Sequence, residues 1–269
     1  MPSLFYCGFF ALLLLAPAIR ADGPYELVWA DEFDIDGPPD STKWNFERGF
    51  ERNHEAQWYQ PENAFCTAGK LVIEARREKK PVPQGAQRWG RSVAEYTSAS
   101  LTTRGVSSWL YGRFEMRAKI DVRPGLWPAF WTLGSARRWP GCGEIDIMEF
   151  YRGKLLANVG YASARHTIKW DSTRTPLAEL GGAKWADEFH TWRMDWDAEQ
   201  ISLYVDDRLL NVTDVTKSQN ATPDGANPFR EPHYLIVNLA VGGKQGGDPS
   251  ATEFPARMEV DYVRVWQKK

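Results

Sequence analysis

The sequence predicts an all-β fold, a sandwich of short strands, and three observations lead there. Short segments alternate apolar and polar residues with the period of two expected of strands that have one wet face. Turn-rich pieces such as "DIDGPPD" (34–40), "ATPDGANPF" (221–229) and "GKQGGDPS" (243–250) separate them. No amphipathic stretch is long enough for a core helix, and the best candidate, around Trp185 to Phe189, is one short turn. Strands punctuated this often pack as two facing sheets.

Each element has its own reason. "KLVIEAR" (70–76) reads as a strand. "YGRFEMRAKI" (111–120) puts Phe114, Met116, Ala118 and Ile120 on one face, with Arg113, Glu115, Arg117 and Lys119 on the other. "ISLYVDDRLL" (201–210) is two strands turning at Asp206-Asp207. "YLIVNLAVGG" (234–243) is apolar on both faces apart from Asn238, which places it mid-sheet, and "MEVDYVRVW" (258–266) is the last strand.

The 269 residues, 43% hydrophobic and 25% charged, suffice for one domain with a sizeable core. "MPSLFYCGFFALLLLAPAIRA" has an apolar run from Leu4 to Ala16 followed by small residues, too short to span a bilayer. It reads as a signal peptide over 1–21, leaving a single domain over 22–269 that is secreted or periplasmic and has no membrane partner. Cys66 and Cys142 then remain, free to pair after export or to stay as buried thiols. Thirty-three basic residues against 35 acidic ones form no basic stripe, so nucleic acid is not an expected partner. A monomer is the default expectation. The outlier is aromatic content, with 13 Trp, 13 Phe and 10 Tyr, which suits either a ring-rich core or a cleft with flat apolar walls for sugar rings.

The chemistry concentrates in "GCGEIDIMEF" (141–150). Glu144 and Asp146 share a strand face, whereas Glu149 falls out of phase. A β-bulge at Ile147-Met148 would return Glu149 to that face. Glu144 and Glu149 would then lie roughly 13 Å apart along the backbone. Side chains leaning inward would bring their carboxyl groups near the ~5–5.5 Å of a retaining glycoside hydrolase. Asp146 between them crowds like charges, which raises at least one proton affinity and makes the titration a property of the cluster. Spacing alone leaves open catalysis, a calcium site and a solvated acidic face. "HEAQW" lacks the second His of a helical zinc motif, and no phosphate loop, dinucleotide fingerprint or nucleophile elbow occurs. No cofactor is therefore implied for catalysis.

"GEIDIMEF" resembles the signature of glycoside hydrolase family 16, in the bulged form with an extra residue before the second Glu. The resemblance covers nearly the whole chain after the leader, through "LVWADEFD" (27–34), "EAQWYQPENA" (55–64), "GKLVIEARRE" (69–78), "YTSASLTTRG" (96–105), "YGRFEMRAKI", "GLWPAFWTLG" (125–134), "FHTWRMDW" (189–196), "NLAVGG" and "VDYVRVW", in family order. It implies a concanavalin A-like jelly-roll β-sandwich with a concave substrate cleft. It makes Glu144 the nucleophile, Glu149 the acid/base and Asp146 the carboxylate assisting the nucleophile. Trp127 and Trp131 would line the glycone side, Asn53, Glu55 and Gln57 would reach sugar hydroxyls, and Trp109 is a further substrate-binding candidate. A structural calcium would take the carbonyls of Glu32 and Gly69 with the side chain of Asp261.

One segment departs from the family pattern. Where familiar β-1,3-glucanases carry Gly-Thr-x-His, this chain reads "LLANVGYASARHTIKWDSTRTP" (155–176). His166 is the candidate for that His, and Tyr161, Lys169 and Trp170 could form a different wall. The expected function is a secreted, retaining endo-hydrolase of a β-linked polysaccharide, an endo-β-1,3-glucanase of the laminarinase kind. The alternatives are an agarase-, porphyranase- or carrageenase-type galactanase, a transglycosylase, and a non-catalytic glucan-binding lectin. The lectin reading is weakened because both Glu residues are present.

Overall fold

The computed structural model describes residues 25–163 and 167–269; the expected signal peptide and His166 lie outside them. In chain order the strands are β1 (Tyr25–Asp31), β2 (Asn45–Phe46), β3 (Gln57–Tyr59), β4 (Ala64–Thr67), β5 (Lys70–Ala75), β6 (Lys80–Pro81), β7 (Val93–Ala94), β8 (Tyr96–Ser98), β9 (Ser100–Thr102) and β10 (Gly112–Lys119). There follow β11 (Leu126–Gly134), β12 (Glu144–Tyr151), β13 (Lys154–Ala162), β14 (Ile168–Pro176), β15 (His190–Trp196), β16 (Gln200–Val205), β17 (Arg208–Asp214), β18 (His233–Val241) and β19 (Ala256–Lys268).

Two antiparallel sheets face each other. One has the order β17-β16-β15-β10-β19-β5-β4, with β1 also on β19; the other runs β14-β13-β12-β11-β18-β9-β2. This is the sandwich that the alternating pattern predicts. Strand β10 buries Phe114, Met116 and Ala118 between the sheets, and Ile120 just beyond it joins them. Its opposite face carries ion pairs from Arg113 to Asp195, Arg117 to Asp261 and Lys119 to Glu259. Strand β18 lies mid-sheet, between β11 and β9, which is why its run is apolar on both faces. The hairpin β16–β17 turns at Asp206-Asp207, and the segment around Trp185 is the four-residue helix Ala183–Ala186. Cys66 and Cys142 are both buried and unpaired; burial pushes each thiol up to about 11.

The core between the sheets is filled by side chains such as Phe130, Ile145, Ile147, Met148 and Phe150 from the second sheet and Trp192, Met194 and Val263 from the first. The outer face of the second sheet is left to hold something else.

Candidate active site

Strand β12 builds the site. Gly143, entering it at φ +73°, stands 2.8 Å from Pro228 by any Cβ it might carry, so only glycine makes this turn. Trp131 pairs with Asp146 and Phe130 with Met148, so β11 skips Ile147. On the other side Asp146 pairs with Asn158 and Glu149 with Leu156, so Ile147 and Met148 together oppose Ala157. That is a bulge where the broken period requires one. It sends Ile145, Ile147 and Met148 to the core while Glu144, Asp146 and Glu149 line one cavity.

That cavity has a volume of about 420 Å³ and lies on the outer face of the second sheet. Trp127 and Trp131 of β11, Leu156 and Asn158 of β13, and Trp170, Ser172 and Arg174 of β14 line it, with Arg52, Asn53 and Trp139 at its rim. Trp127 Nε1 donates to Glu149 Oε1 at 2.8 Å. Asn158 Nδ2 donates to Asp146 Oδ2 at 3.0 Å and to Glu149 Oε2 at 3.1 Å. Trp139 Nε1 donates to Glu144 Oε2 at 2.5 Å. Asp146 Oδ1 is buried and receives no hydrogen bond from a described donor, while its carboxyl group contacts both glutamates. It is the oxygen left to carry a proton between them.

The electrostatics follow from this crowding. Burial, opposed by the Trp139 hydrogen bond and reinforced by the charge of Glu149, raises Glu144 to about 7. Burial likewise raises Glu149, against hydrogen bonds from Asp146, Trp127 and Asn158. Asp146 is raised well above the usual carboxylate range by burial and by both neighbouring charges. The three therefore hold protons jointly at neutral pH. Three carboxyl groups that share protons on one wall of a cleft can do acid–base and covalent chemistry on a glycosidic bond.

Other sequence candidates land differently. Trp127 and Trp131 reach the cleft, and Trp131 Nε1 donates to Asn238 Oδ1 at 2.8 Å. Asn53 also lines it. Glu55 does not: it is buried behind the rim, accepting from Asn53, Gln57 and Tyr59, so it holds Asn53 rather than a ligand. Gln57 is buried too and accepts from the Val241 amide. Trp109 packs in the inter-sheet core against Trp29 and Phe114 and is no substrate contact. Tyr161 is core as well.

Of the residues expected to hold calcium, the side chains of Glu32 and Asp261 are engaged in ion pairs. The Asp261 carboxylate, the one side chain of the set, holds Arg117 at 2.6 Å, and Glu32 grips Arg264 through both oxygens. Among the described residues no group of three His, Cys, Asp or Glu side chains is placed to hold a metal ion.

Sequence reasoning missed several cleft residues, among them Trp139, Arg52 and, bonding two of the acids, Asn158. Trp139, in a loop five positions before Glu144, could have been suspected as an aromatic beside the acidic strand. Arg52 had no signal: its guanidinium lies over the Trp131 ring at 4.9 Å and is tied to Glu47, contacts between distant segments.

The profile of Glycosyl hydrolases family 16 matches residues 51–264. A β-glucanase of Rhodothermus marinus is 41% identical over 265 residues, spanning 90% of this chain and 85% of its own length. The catalytic domain of an endo-1,3-β-glucanase (laminarinase) from Thermotoga petrophila superposes with a TM-score of 0.76 at 35% identity, over 91% of this chain and 98% of that one. A structure from work on endo-acting O-glycanases that members of the human gut microbiota express to initiate mucin breakdown superposes at 0.83 with 33% identity, over 93% of each chain.

Proposed function

The chain belongs to glycosyl hydrolase family 16, and on that premise we propose that it is a secreted endo-β-1,3-glucanase acting with retention of anomeric configuration. The observation that carries this reading is the bulged strand, which turns Glu144, Asp146 and Glu149 into one cleft. Family order makes Glu144 the nucleophile and Glu149 the acid/base. Glu149 protonates the leaving oxygen while a Glu144 oxygen attacks the anomeric carbon; water, deprotonated by Glu149, then releases the glycosyl ester. The proton retained by Asp146 hydrogen-bonds the attacking carboxylate and spreads its charge. Trp127 orients Glu149 through the indole N–H.

The β-1,3-glucan assignment draws on the β-glucanase and laminarinase relatives. The leader over 1–21 supports export, and none of the described helices is long and apolar enough to cross a membrane. An endo-hydrolase of another β-linked glycan, a galactan or an O-glycan, is the second reading, favoured by the TM-score of 0.83 to the O-glycanase-related structure.

The test is reducing-sugar release from laminarin, lichenan, agarose, porphyran, carrageenan, xyloglucan and mucin O-glycans. Release from laminarin that vanishes in Glu144→Gln supports the reading; release only from a galactan or from mucin keeps the site and replaces the substrate. Glu149→Ala should lose about 10²–10⁴-fold on polysaccharide. With an activated aryl glycoside and azide it should yield a β-glycosyl azide, and an α product would overturn retention.

A further inference from the structure

Not every cleft residue stands on a strand. Arg52 and Asn53 line the cavity from the loop between β2 and β3. Asn53 and His54 follow one another there at φ +53° and +56°. Residues with side chains seldom adopt this left-handed conformation, least of all in succession. Such a kink persists only where its surroundings hold it.

A complete set of donors does the holding. Every carbonyl from Phe50 to Glu55 accepts a hydrogen bond, so the loop leaves none of these groups unmatched. The Arg52 carbonyl accepts from the Glu55 amide at 3.1 Å, and that of Asn53 from the Lys244 amide at 2.9 Å. The other four accept from two arginine side chains. Arg88 Nη1 donates to the carbonyl of Phe50 at 2.9 Å and to that of Glu51. Arg91 donates to the carbonyl of His54 at 3.0 Å through Nη2, and to that of Glu55 through Nη1.

Both arginines belong to the excursion between β6 and β7. Trp89 and Gly90, at φ +53° and +74°, form its tight turn, closed by the Arg91 amide on the Arg88 carbonyl at 3.0 Å. The turn sets the two arginines opposite each other as a bridged pair. The Arg91 guanidinium lies 5.4 Å from the centre of the Phe50 ring and 5.5 Å from that of Trp89. Trp89 in turn stacks on His54 at 4.6 Å. A fork packed over two rings reaches its carbonyls with little freedom left to lose.

We infer that Arg88 and Arg91 are positioning residues of the active site. By occupying the carbonyls on both sides of residues 52 and 53, they fix the kink that delivers the Arg52 guanidinium and the Asn53 amide to the cleft. Neither arginine lines the cleft itself. Their influence reaches the acids through Arg52. Glu144 is faced by the Asp146 and Glu149 carboxyl groups, by the Trp139 indole and by Arg52, whose positive charge favours the ionised form. Without the two forks, Arg52 loses its fixed place over Trp131 and Glu144 holds its proton more tightly. The kinetic consequence rests on the nucleophile role proposed for Glu144, whereas the change in proton affinity does not.

The experiment titrates Glu144 by 13C NMR of protein labelled at its glutamate carboxyl groups, with Glu144→Gln assigning the signal. It needs no substrate. In Arg91→Ala the midpoint should move up by about 0.5 to 1 pH unit. Arg91→Lys keeps the charge but not the fork, so it should move part of the way, and it stands in if the alanine variant does not fold. In an Arg52→Met background, Arg91→Ala should leave the midpoint where Arg52→Met alone puts it. On laminarin at neutral pH, Arg91→Ala should lower kcat/KM about three- to tenfold and shift the acidic limb upward with the titration. A midpoint unmoved in both Arg91 variants, or moved equally with and without Arg52, would overturn the inference and leave the proposed function standing. Wild-type protein that releases no sugar from laminarin would defeat the glucanase reading, and the titration would still decide the inference.

Discussion

At the level of single residues the site works by keeping protons where water would remove them. Burial raises Glu144 to about 7, against an unfolded value near 4.5. The folded state therefore binds this proton more tightly, and the stability it contributes is complete below about 4.5 and lost as pH rises through about 7. Glu144→Gln lacks that slope. Thermal melts should show the variant's advantage over wild type growing from pH 5 to pH 8, by about 1–2 kcal/mol. The indole N–H of Trp139 opposes the rise, since it bonds the ionised carboxylate. In Trp139→Phe the donor is gone and Glu144 binds its proton more tightly. The acidic limb of kcat/KM, where Glu144 must be ionised, should move to higher pH while the melting profile barely changes. Residue type and spacing announced the three acids, and the family resemblance pointed to the two β11 tryptophans. They did not separate Asn53, which reaches the cleft, from Glu55 two positions on. Glu55 is sequestered by Asn53, Gln57 and Tyr59, partners whose convergence only the folded chain defines.

At the level of elements, the register of β12 decides everything downstream. Its bulge was legible because three acids, two apolar neighbours and one misplaced period admit few arrangements, and the pairings of Trp131 and Asn158 with Asp146 match it. Trp109 was not legible. A tryptophan in a turn-rich stretch looks the same whether it faces a ligand or the inter-sheet core, and the packing of Trp29 and Phe114 decides. Deleting Ile147 should remove the extra residue and restore plain alternation, leaving Glu149 on the face of Glu144 and Asp146 but one residue closer to them. Such a variant should keep measurable activity while melting at least several degrees lower, because the core loses the buried Ile147 side chain. Circular dichroism with an activity assay checks both.

On the scale of the whole molecule, the sandwich separates support from chemistry. The alternating strands, the hairpin at Asp206-Asp207 and the mid-sheet position of β18 followed from local pattern. Which sheet carries the cleft did not, because it depends on how distant strands are ordered. The thiols of Cys66 and Cys142 are enclosed and pushed up to about 11. Neither should react with an exposed-thiol reagent at pH 8 in the native protein, and both should react promptly in guanidinium. Asn211-Val212-Thr213 and Asn220-Ala221-Thr222 are sequons whose asparagines are enclosed in the same way. Their side-chain amides already donate to the carbonyls of Ala157 and Gly141, so the folded chain offers no free acceptor for glycan addition.

Strand β14 ends the sheet order and pairs with β13 alone. A strand with one neighbour has the fewest partners to disappoint when its sequence drifts. The outward side chains at 170, 172 and 174 can be exchanged without repacking the interior or disturbing the bulge two strands away. The acids and this edge of the cleft they share are thus written on separable strands of the molecule. A lineage could keep the acids unaltered while trying one edge after another against new polymers, and this edge is where divergence in chain cleavage pattern has room to accumulate.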